Sequence, residues 1–214
     1  MFVANCMTKN PVTITPDASM DEAAARMEKG HFRRLPVVED GSLVGFFTSR
    51  DLLRASPSST TTQDPVQVRA HLAKIKVADV MQTDIVTVTD TMTIEEAALI
   101  MERKKISGVP VLSAAGALVG IISSTDIFRA FIAVMGLDSG KTRLTIDVAD
   151  RKGALRDLST ILANLDISVD SMVTLSQPNG TYQIILRADI ENVETVKERL
   201  WAKGFTLSHV TQIG

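Results

Sequence analysis

The heptapeptide Gly45-Phe46-Phe47-Thr48-Ser49-Arg50-Asp51 returns later in the chain as Gly120-Ile121-Ile122-Ser123-Ser124-Thr125-Asp126. Upstream of it, Leu35-Pro36-Val37-Val38 returns as Val109-Pro110-Val111-Leu112. The similarity extends outward: residues 7–55 align with residues 81–130 with one insertion near Ala115, and 19 of the 49 aligned pairs are identical. Unrelated sequences of average composition agree at about one position in sixteen. The first part of the chain is therefore a tandem duplication.

Each copy shows the same order of predicted elements, which is strand, helix, strand, strand, helix. Before the first helix, a Ser or Thr is followed three residues later by Glu, at Ser19 with Glu22 and at Thr93 with Glu96, which is the pattern of a capping box. Behind each box, apolar residues recur at helical spacing. The final helices are predicted to begin near Asp51 and Asp126. The predicted strands cover residues 12–15, 35–38 and 43–48 in the first copy, and residues 86–89, 109–112 and 118–123 in the second.

A copy of about 50 residues is too small to bury a substantial core alone. We therefore expect the two copies to pack together and share an interface. Between them, residues 56–64 are rich in Ser and Thr, and this composition predicts a flexible crossover. Residues 66–75 are predicted to form a helix that leads into the second copy.

The pattern changes after residues 136–140, which contain two glycines and predict a linker. Strands are predicted at residues 142–149, 169–175, 181–188 and 205–212, and helices at residues 154–165 and 193–203. The turn Pro178-Asn179-Gly180 joins the two central strands as a hairpin. This βαββαβ order predicts a ferredoxin-like four-stranded sheet.

Composition excludes several classes of protein. The 214 residues carry a formal net charge of −2, whereas a general nucleic-acid binder concentrates positive charge. The single cysteine, Cys6, cannot form an intramolecular disulfide, which suits a reducing compartment. No apolar run approaches the roughly 18 to 20 residues of a membrane span, and residues 1–10 lack the features of a secretion signal. We therefore expect a cytoplasmic protein with no nucleic-acid or membrane partner.

The duplicated Pro-Val strands and Gly-to-Asp motifs resemble a tandem pair of cystathionine-β-synthase (CBS) domains. This resemblance implies two clefts between the repeats that bind adenosyl compounds, namely AMP, ADP, ATP or S-adenosylmethionine. In the C-terminal part, Asp150-Arg151-Lys152-Gly153-Ala154-Leu155 resembles the strand-to-helix turn of ACT domains, with Lys152 where family members frequently have proline. That resemblance implies side-by-side pairing into a homodimer and an amino-acid site at Asp150, Gly153, Ala154 and Leu155. The alternative is that Gly153 only permits a tight turn.

The expected chain is thus of the α/β and α+β class, a tandem CBS pair followed by a ferredoxin-like ACT domain. Its expected boundaries are residues 1–56 for the first repeat, 57–76 for the crossover, 77–135 for the second repeat, 136–141 for a linker and 142–214 for the ACT domain.

An adenosyl ligand suits the chemistry of the duplicated motifs. An ionised carboxylate, at Asp51 or Asp126, accepts hydrogen bonds from both ribose hydroxyls, and the prolines are expected to leave backbone groups free for adenine. Either Arg33 or Arg34 is expected to face a cleft and bind phosphate. The candidate residues are Asn10, Pro11, Arg33, Arg34, Leu35, Pro36, Thr48, Arg50, Asp51, Thr83, Asp84, Ile85, Gly108, Val109, Pro110, Ser123, Thr125 and Asp126. The alternative is that both acids only cap their own helices.

Neither a catalytic nor a metal site is expected. His31, His71 and His209 lack metal-ligand spacing with one another or with Cys6, and phosphate-binding and nucleophile motifs are missing. We expect a regulatory protein that needs no catalytic cofactor, senses an adenosyl ligand, relays its state through an ACT dimer and acts on a protein partner. The arrangement resembles stand-alone CBS-ACT proteins of acetoin utilisation. The alternatives are an architectural adaptor with empty clefts, a sensor of S-adenosylmethionine, and an enzyme that consumes ATP or S-adenosylmethionine.

Overall fold

Duplicated sequence produces duplicated helices in the first part of the chain. The computed structural model describes residues 1–57 and 64–212. In it, helix α2 (Met20–Gly30) follows the cap Ser19 and helix α5 (Ile94–Lys104) follows the cap Thr93, each hydroxyl accepting a hydrogen bond from the amide three residues later. A short helix α1 (Val3–Cys6), which the sequence analysis does not predict, precedes α2. The capping pattern therefore fixes the beginning of both equivalent helices.

Each copy then forms a hairpin that runs directly into a helix. In the first copy, β2 (Arg34–Glu39) pairs with β3 (Ser42–Thr48), which leads into α3 (Ser49–Ala55). In the second, β5 (Gly108–Leu112) pairs with β6 (Leu118–Ser123), which leads into α6 (Ser124–Val134). The two hairpins confirm the predicted strands to within one residue at most ends.

The first strand of each copy is shorter than predicted. Ile14 forms a single bridge to Val37, with hydrogen bonds from Ile14 N to Pro36 O and from Val38 N to Ile14 O. The next donor along this parallel ladder would be Pro16, which has no N–H. In the second copy the aligned residue, Asp90, donates to Leu112 O over 3.1 Å. This extra bond extends the pairing there into β4 (Val88–Thr89).

The two repeats exchange their N-terminal segments, a feature the sequence analysis missed. Strand β1 (Thr8–Lys9) lies at the start of the first copy yet pairs with β6 of the second, which gives the sheet order β1-β6-β5-β4. The residue aligned with Thr8 is Gln82, and it bridges Phe46 in β3 of the first copy through two backbone hydrogen bonds of 2.9 and 3.0 Å. The exchange is therefore reciprocal.

A methionine packs against a glycine at each of these crossings. A Cβ atom built on Gly45 would lie less than 3.0 Å from the Met81 thioether sulfur, and one built on Gly120 would lie equally close to that of Met7. Met7 aligns with Met81 and Gly45 with Gly120, so the contact obeys the pseudo-twofold symmetry of the duplication. Glycine is needed at both places because the other repeat occupies the space of a side chain.

Part of the predicted crossover, residues 58–63, lies outside the described residues. Helix α4 (Pro65–Leu72) follows, with Asp64 as its N-cap and Pro65 in its first turn. It ends three residues before the predicted boundary, and Leu72 joins the buried core of the first repeat. A 3₁₀ turn at Val77–Asp79 leads from there into the second repeat.

The C-terminal part forms an antiparallel sheet in the order β10-β7-β9-β8. Its strands are β7 (Thr142–Ala149), β8 (Val169–Ser176), β9 (Thr181–Ala188) and β10 (Phe205–Gln212). Its helices are α7 (Ala154–Asn164) and α8 (Val193–Trp201), and the expected linker contains a 3₁₀ turn at Leu137–Ser139. The two helices and the sheet share one buried core. The helices contribute Leu158, Leu162, Val196 and Leu200, and the sheet contributes Leu144, Ile146, Ile184 and Leu186. The βαββαβ order is thus confirmed.

By Cα packing the chain divides into one unit of Met1–Ile127 and another of Phe128–Gly214. Among the helices of the described residues, none has the length and apolar character that crossing a bilayer requires.

The methionine-glycine crossing predicts a specific effect of an added methyl group. Gly45→Ala is expected to lower the free energy of unfolding of the first unit by about 1–3 kcal/mol, the usual cost of overpacking, although alanine is normally better than glycine in a strand. Chemical denaturation followed by circular dichroism measures the change. Ser42→Ala, at an exposed position of the same strand, is the control. Equal stability of the two variants would contradict the packing account.

Candidate functional site

Two clefts open in the first unit, and each is lined by residues from both repeats. The larger, with a volume of about 590 Å³, is named the Asp126 cleft. Its lining residues are Thr8, Asn10, Pro11, Val12, His31, Phe32, Arg33, Arg34, Ser107, Ile121, Ser123, Ser124, Thr125 and Asp126. The smaller, of about 440 Å³, is named the Arg50 cleft. Its lining residues are Arg33, Arg34, Phe46, Thr48, Ser49, Arg50, Gln82, Asp84, Ile85, Val86, Lys104, Lys105, Ile106, Ser107, Gly108 and Val109.

Most of the residues proposed from the sequence lie in one of these clefts. The Asp126 cleft brings together Asn10, Pro11, Ser123, Thr125 and Asp126. The Arg50 cleft brings together Thr48, Arg50, Asp84, Ile85, Gly108 and Val109. Arg33 and Arg34 line both. Of the described residues proposed as ligand contacts, Leu35, Pro36, Asp51, Thr83 and Pro110 line neither cleft.

Both acids of the duplicated motif make the hydrogen bonds of a helix cap. The Oδ2 atom of Asp51 accepts from the Thr48 amide at 2.9 Å and from the Thr48 hydroxyl at 2.6 Å. The Oδ2 atom of Asp126 accepts from the amide and hydroxyl of Ser123 at 2.8 and 2.6 Å. Both side chains are buried, with 5% and 8% of their surface exposed. One oxygen of each carboxylate is therefore engaged in capping in this structure.

The second oxygen differs between the two acids. Asp51 Oδ1 lies 3.5 Å from Gln82 Nε2, and Gln82 in turn lines the Arg50 cleft. Asp126 lines its own cleft directly. The Asp126 carboxylate is therefore the one placed at a cleft surface, whereas a ligand in the Arg50 cleft meets Gln82 before it meets Asp51.

The prediction that the prolines leave neighbouring backbone groups free is wrong at Pro36. The Pro36 carbonyl accepts a hydrogen bond from Ile14 N at 3.0 Å, and Pro36 itself is buried. The parallel bridge to Ile14 uses the edge of the strand that was expected to face a ligand. The Pro36 carbonyl and the Val38 amide are therefore both engaged by Ile14 within the fold.

The prediction that only one of Arg33 and Arg34 faces a cleft is also wrong. Strand alternation applies only where both residues belong to a strand, and β2 begins at Arg34, after Arg33. Both side chains reach the wall that the two clefts share. At Gly108, another candidate ligand contact, the space beside the Cα is occupied by the Arg34 guanidinium.

The electrostatics of this wall are dominated by cations. Burial lowers the pKa of Arg34, the neighbouring charge of Arg33 lowers it further, and Asp126 raises it. An arginine nevertheless stays protonated in proteins. Lys104 and Lys105 add positive charge to the Arg50 cleft. A planar guanidinium binds phosphate through paired hydrogen bonds, so both clefts suit an anionic group.

Several lining residues escaped the sequence analysis because they belong to the exchanged segments or to the helix ends. Thr8 and Gln82 reach the clefts through the exchange of N-terminal segments. His31 and Lys105 both end a helix in the left-handed conformation, at φ of 52° and 56°. The alignment of Thr8 with Gln82 and of His31 with Lys105 was available in the repeat itself. Neither member of these two pairs was a candidate, so the symmetry of the duplication alone does not find them, although it does give Ser107, the cleft residue aligned with the candidate Arg33.

No group of three His, Cys, Asp or Glu side chains suited to a metal ion occurs among residues 1–57 and 64–212. Cys6, whose pKa is raised chiefly by burial, lies in the short helix α1.

The glycine turn proposed as an amino-acid site has the left-handed conformation it requires. Gly153 has φ +87° and precedes α7, while Asp150 and Leu155 are exposed. The amide of Ala154, one of the candidate residues, donates to Arg151 O at 3.3 Å. Asp157 stabilises the turn further through salt bridges, with Oδ2 at 2.7 Å from Arg151 Nη1 and Oδ1 at 3.1 Å from Arg156 Nη2. The observed contacts are those of a stable strand-to-helix turn.

Comparison with known families matches both parts of the chain. Residues 3–58 and 77–133 match the family model described as CBS domain, and residues 142–200 match the one described as ACT domain. A CBS domain-containing protein of Dictyostelium discoideum is 32% identical over 136 residues, which cover 63% of this chain and 94% of that protein. An inosine-5'-monophosphate dehydrogenase of Korarchaeum cryptofilum is also 32% identical over 80% of this chain, but the match spans only 33% of the enzyme.

Solved structures resemble the chain over similar lengths. The CBS domain pair of protein MJ0100, in complex with 5'-methylthioadenosine and S-adenosyl-L-methionine, is 30% identical with a TM-score of 0.51 and covers 61% of this chain and 95% of its own. CBSX2 of Arabidopsis thaliana, in complex with AMP, is 27% identical with a TM-score of 0.51, covering 61% and 96%. A Vibrio cholerae protein assigned to acetoin utilization, AcuB, is 28% identical with a TM-score of 0.53, covering 65% and 96%.

The capping contacts predict that both acids stabilise the fold without a ligand. Asp51→Ala and Asp126→Ala are each expected to lower the free energy of unfolding by about 0.5–2 kcal/mol, the usual effect of losing a helix cap. Denaturation in the absence of nucleotide measures this. Glu28→Ala, on an exposed face of α2, is the control. Two acid variants as stable as the control would contradict a stabilising role of the capping bonds.

The ion pairs of Asp157 predict an acid-dependent contribution to the stability of the C-terminal unit. The hydrogen bond from Arg151, and then that from Arg156, lowers the pKa of Asp157. Its contribution is therefore complete above the unfolded-state value of about 3.9 and is lost as the pH falls through the lower folded-state value. Asp157→Asn should flatten the loss of stability below about pH 4. Fluorescence of Trp201, the only tryptophan, reports on this unit. Identical acid profiles for Asp157→Asn and the control Glu191→Gln would contradict the prediction.

Proposed function

Since this chain belongs to the CBS-domain family and carries an ACT domain after its CBS pair, we propose that it is a regulatory protein that binds adenosyl nucleotides between the two repeats. The family matches confirm the tandem CBS pair and the ACT domain expected from the sequence. CBS pairs of similar structure bind AMP in one case and S-adenosyl-L-methionine with 5'-methylthioadenosine in another. A sensor of adenosyl compounds is the function that these relatives and the two clefts together support.

The observation that carries the proposal is the composition of each cleft. In the Asp126 cleft, the carboxylate of Asp126 and the hydroxyl of Ser123 come from the second repeat, and the guanidinium groups of Arg33 and Arg34 from the first. In the Arg50 cleft, Thr48 and Arg50 come from the first repeat, and Lys104 and Lys105 from the second. A nucleotide offers a diol at one end and a phosphate at the other. The Asp126 cleft combines a hydroxyl and a carboxylate with cations, and the Arg50 cleft combines a hydroxyl with cations of both repeats, so both clefts suit a phosphate and the Asp126 cleft also suits the diol.

The excess of positive charge favours a phosphorylated ligand of the AMP, ADP and ATP class. S-adenosylmethionine carries a positive sulfonium group, which the cations of the shared wall would repel. The complex of the MJ0100 pair nevertheless makes this ligand the second candidate. Comparing AMP with S-adenosylmethionine in the same assay decides between them.

Binding across the two repeats supplies a mechanism of regulation. A ligand that contacts both copies stabilises one packing of the pair over others, which shifts the population of conformations. Coupling of this kind typically amounts to about 1 to 3 kcal/mol and acts reciprocally between sites. We propose that a homodimer formed through the ACT domain passes this change to a protein partner, with an amino acid at the Gly153 turn as a second input. Acetoin utilisation is the proposed context, because of the similarity to AcuB.

We propose no catalytic role and no catalytic cofactor. The match to inosine-5'-monophosphate dehydrogenase covers a third of that enzyme, so its activity does not transfer to this chain. An enzyme would accumulate product from ATP or S-adenosylmethionine over hours at catalytic protein concentrations. An adaptor with empty clefts would show no change in melting temperature with any nucleotide.

Melting of the full chain with AMP, ATP, S-adenosylmethionine and adenosine, each with and without a mixture of amino acids, tests the proposed function. A nucleotide at one hundred times its dissociation constant is expected to stabilise the first unit by about 2.7 kcal/mol, seen as a rise in melting temperature. Asp126→Ala should lose much of that rise. Asp79→Ala is a matched control, because Asp79 Oδ2 accepts a capping bond from Lys76 N at 3.0 Å outside either cleft. A full shift in Asp126→Ala, or no shift in the unmodified chain, would overturn the proposal.

A further inference from the structure

Equivalent residues of the two repeats meet in the wall between the clefts. In the alignment of the copies, Arg33 corresponds to Ser107 and Arg34 to Gly108. In the structure, Arg34 Nη2 donates a hydrogen bond to Ser107 Oγ, and the same guanidinium covers Gly108. Ser107, Arg33 and Arg34 each line both clefts. The local pseudo-twofold axis therefore passes close to Arg34.

The Arg34 guanidinium fills the space at this axis that a side chain on Gly108 would enter. A Cβ atom on Gly108 would lie 2.7 Å from Arg34 Nε and 2.9 Å from Arg34 Cζ, distances that real Cβ atoms essentially never show. An arginine in place of Gly108, the residue equivalent to Arg34, would clash with the Arg34 side chain and repel its positive charge. The duplication has thus kept Arg34 in one copy and glycine in the other. The wall between the clefts therefore contains the Arg34 guanidinium without a symmetry-related second one from residue 108.

The charged groups around the Arg34 guanidinium favour the binding of an anion from either cleft. Arg34 is half-buried, and its described neighbours in the wall are the cation Arg33 and the hydroxyl of Ser107. Asp126 is the acid whose charge raises its pKa, and it lies in only one of the two clefts. Lys104 and Lys105 approach from the side of the Arg50 cleft. A phosphate entering either cleft would find the same guanidinium.

We propose that Arg34 is a single phosphate-binding group shared by both clefts, so that a phosphorylated adenosyl ligand in one cleft weakens the binding of a second in the other. The inference rests on the proposed function and names the residue that couples its two sites. A bound phosphate neutralises the guanidinium and holds it in one orientation. A second phosphate then meets a wall with less positive charge and a negative group on its far side. An adenosyl ligand without phosphate does not engage Arg34 and shows no such coupling.

Calorimetric titration of the full chain with AMP and, separately, adenosine tests this proposal. The ratio of the second to the first stepwise dissociation constant measures the inequality of the clefts. Adenosine gives the inequality that arises from the adenine and ribose parts alone. For AMP the ratio is expected to be about tenfold larger or more, as the loss of a charge-assisted hydrogen bond implies. Binding of one AMP but two adenosine molecules per chain is the limiting form of the same result.

Arg34→Gln is expected to weaken both AMP binding steps, to leave adenosine binding unchanged and to lower the AMP ratio toward the adenosine ratio. Arg34→Lys retains a charge without the planar fork and should restore part of the AMP affinity. Arg50→Gln is the matched control, because Arg50 lines one cleft only, and it should weaken a single step. Melting of each variant without ligand establishes that it is folded.

The outcomes separate this inference from the proposed function. Equal ratios for AMP and adenosine, or an Arg34→Gln variant that changes only one AMP step, would overturn the shared role of Arg34 while leaving nucleotide binding intact. One AMP and one adenosine molecule per chain would overturn it as well. The absence of any AMP binding, by both calorimetry and melting, would overturn the inference together with the proposed function.

Discussion

Each repeat of the CBS pair places a methionine of its N-terminal segment against a glycine in a strand of the other repeat, and the rest of the first unit depends on this exchanged contact. With Met7 on Gly120 and Met81 on Gly45, strand β1 completes the sheet of the second copy and Gln82 bridges the hairpin of the first. Neither copy has a complete structure alone. The exchange also carries Thr8 and Gln82 into the clefts. The interaction that joins the repeats thereby also forms part of the walls of both clefts.

The same short motif caps a helix in each copy and, in the second copy, places its acid at a cleft. Thr48-x-x-Asp51 and Ser123-x-x-Asp126 begin a helix in each copy, and their carboxylates accept the hydrogen bonds of a cap. Capping with one oxygen fixes the position of the whole side chain. At Asp126 this leaves a pre-oriented carboxylate at the surface of a cleft. The two interpretations weighed from the sequence are thus compatible, since the cap holds in place the group that a ribose would meet.

Sequence reasoning succeeded where structure is determined locally. The hairpin over residues 169–188 and the first and last strands of the ACT domain follow from alternating patterns and turn residues, and strands β7 and β10 have the predicted bounds. It failed where a distant segment decides the outcome. Strand β1 is two residues long and pairs more than a hundred positions away, so it leaves no periodic signal. The sequence does explain the shortened first strand once the pairing is known, because Pro16 lacks the N–H that the aligned Asp90 donates to Leu112.

At the clefts, the residue types were predictable but their division between sites was not. The wall occupied by Arg33 and Arg34 is defined by the pairing of two repeats, which strand alternation in one copy does not describe. A crystal structure of the full chain grown with saturating AMP tests the account most directly. It should show nucleotide between the repeats, with the ribose hydroxyls on the Asp126 carboxylate and the phosphate on the Arg34 guanidinium. Clefts that remain empty, or AMP bound with its phosphate away from Arg34, would contradict the account.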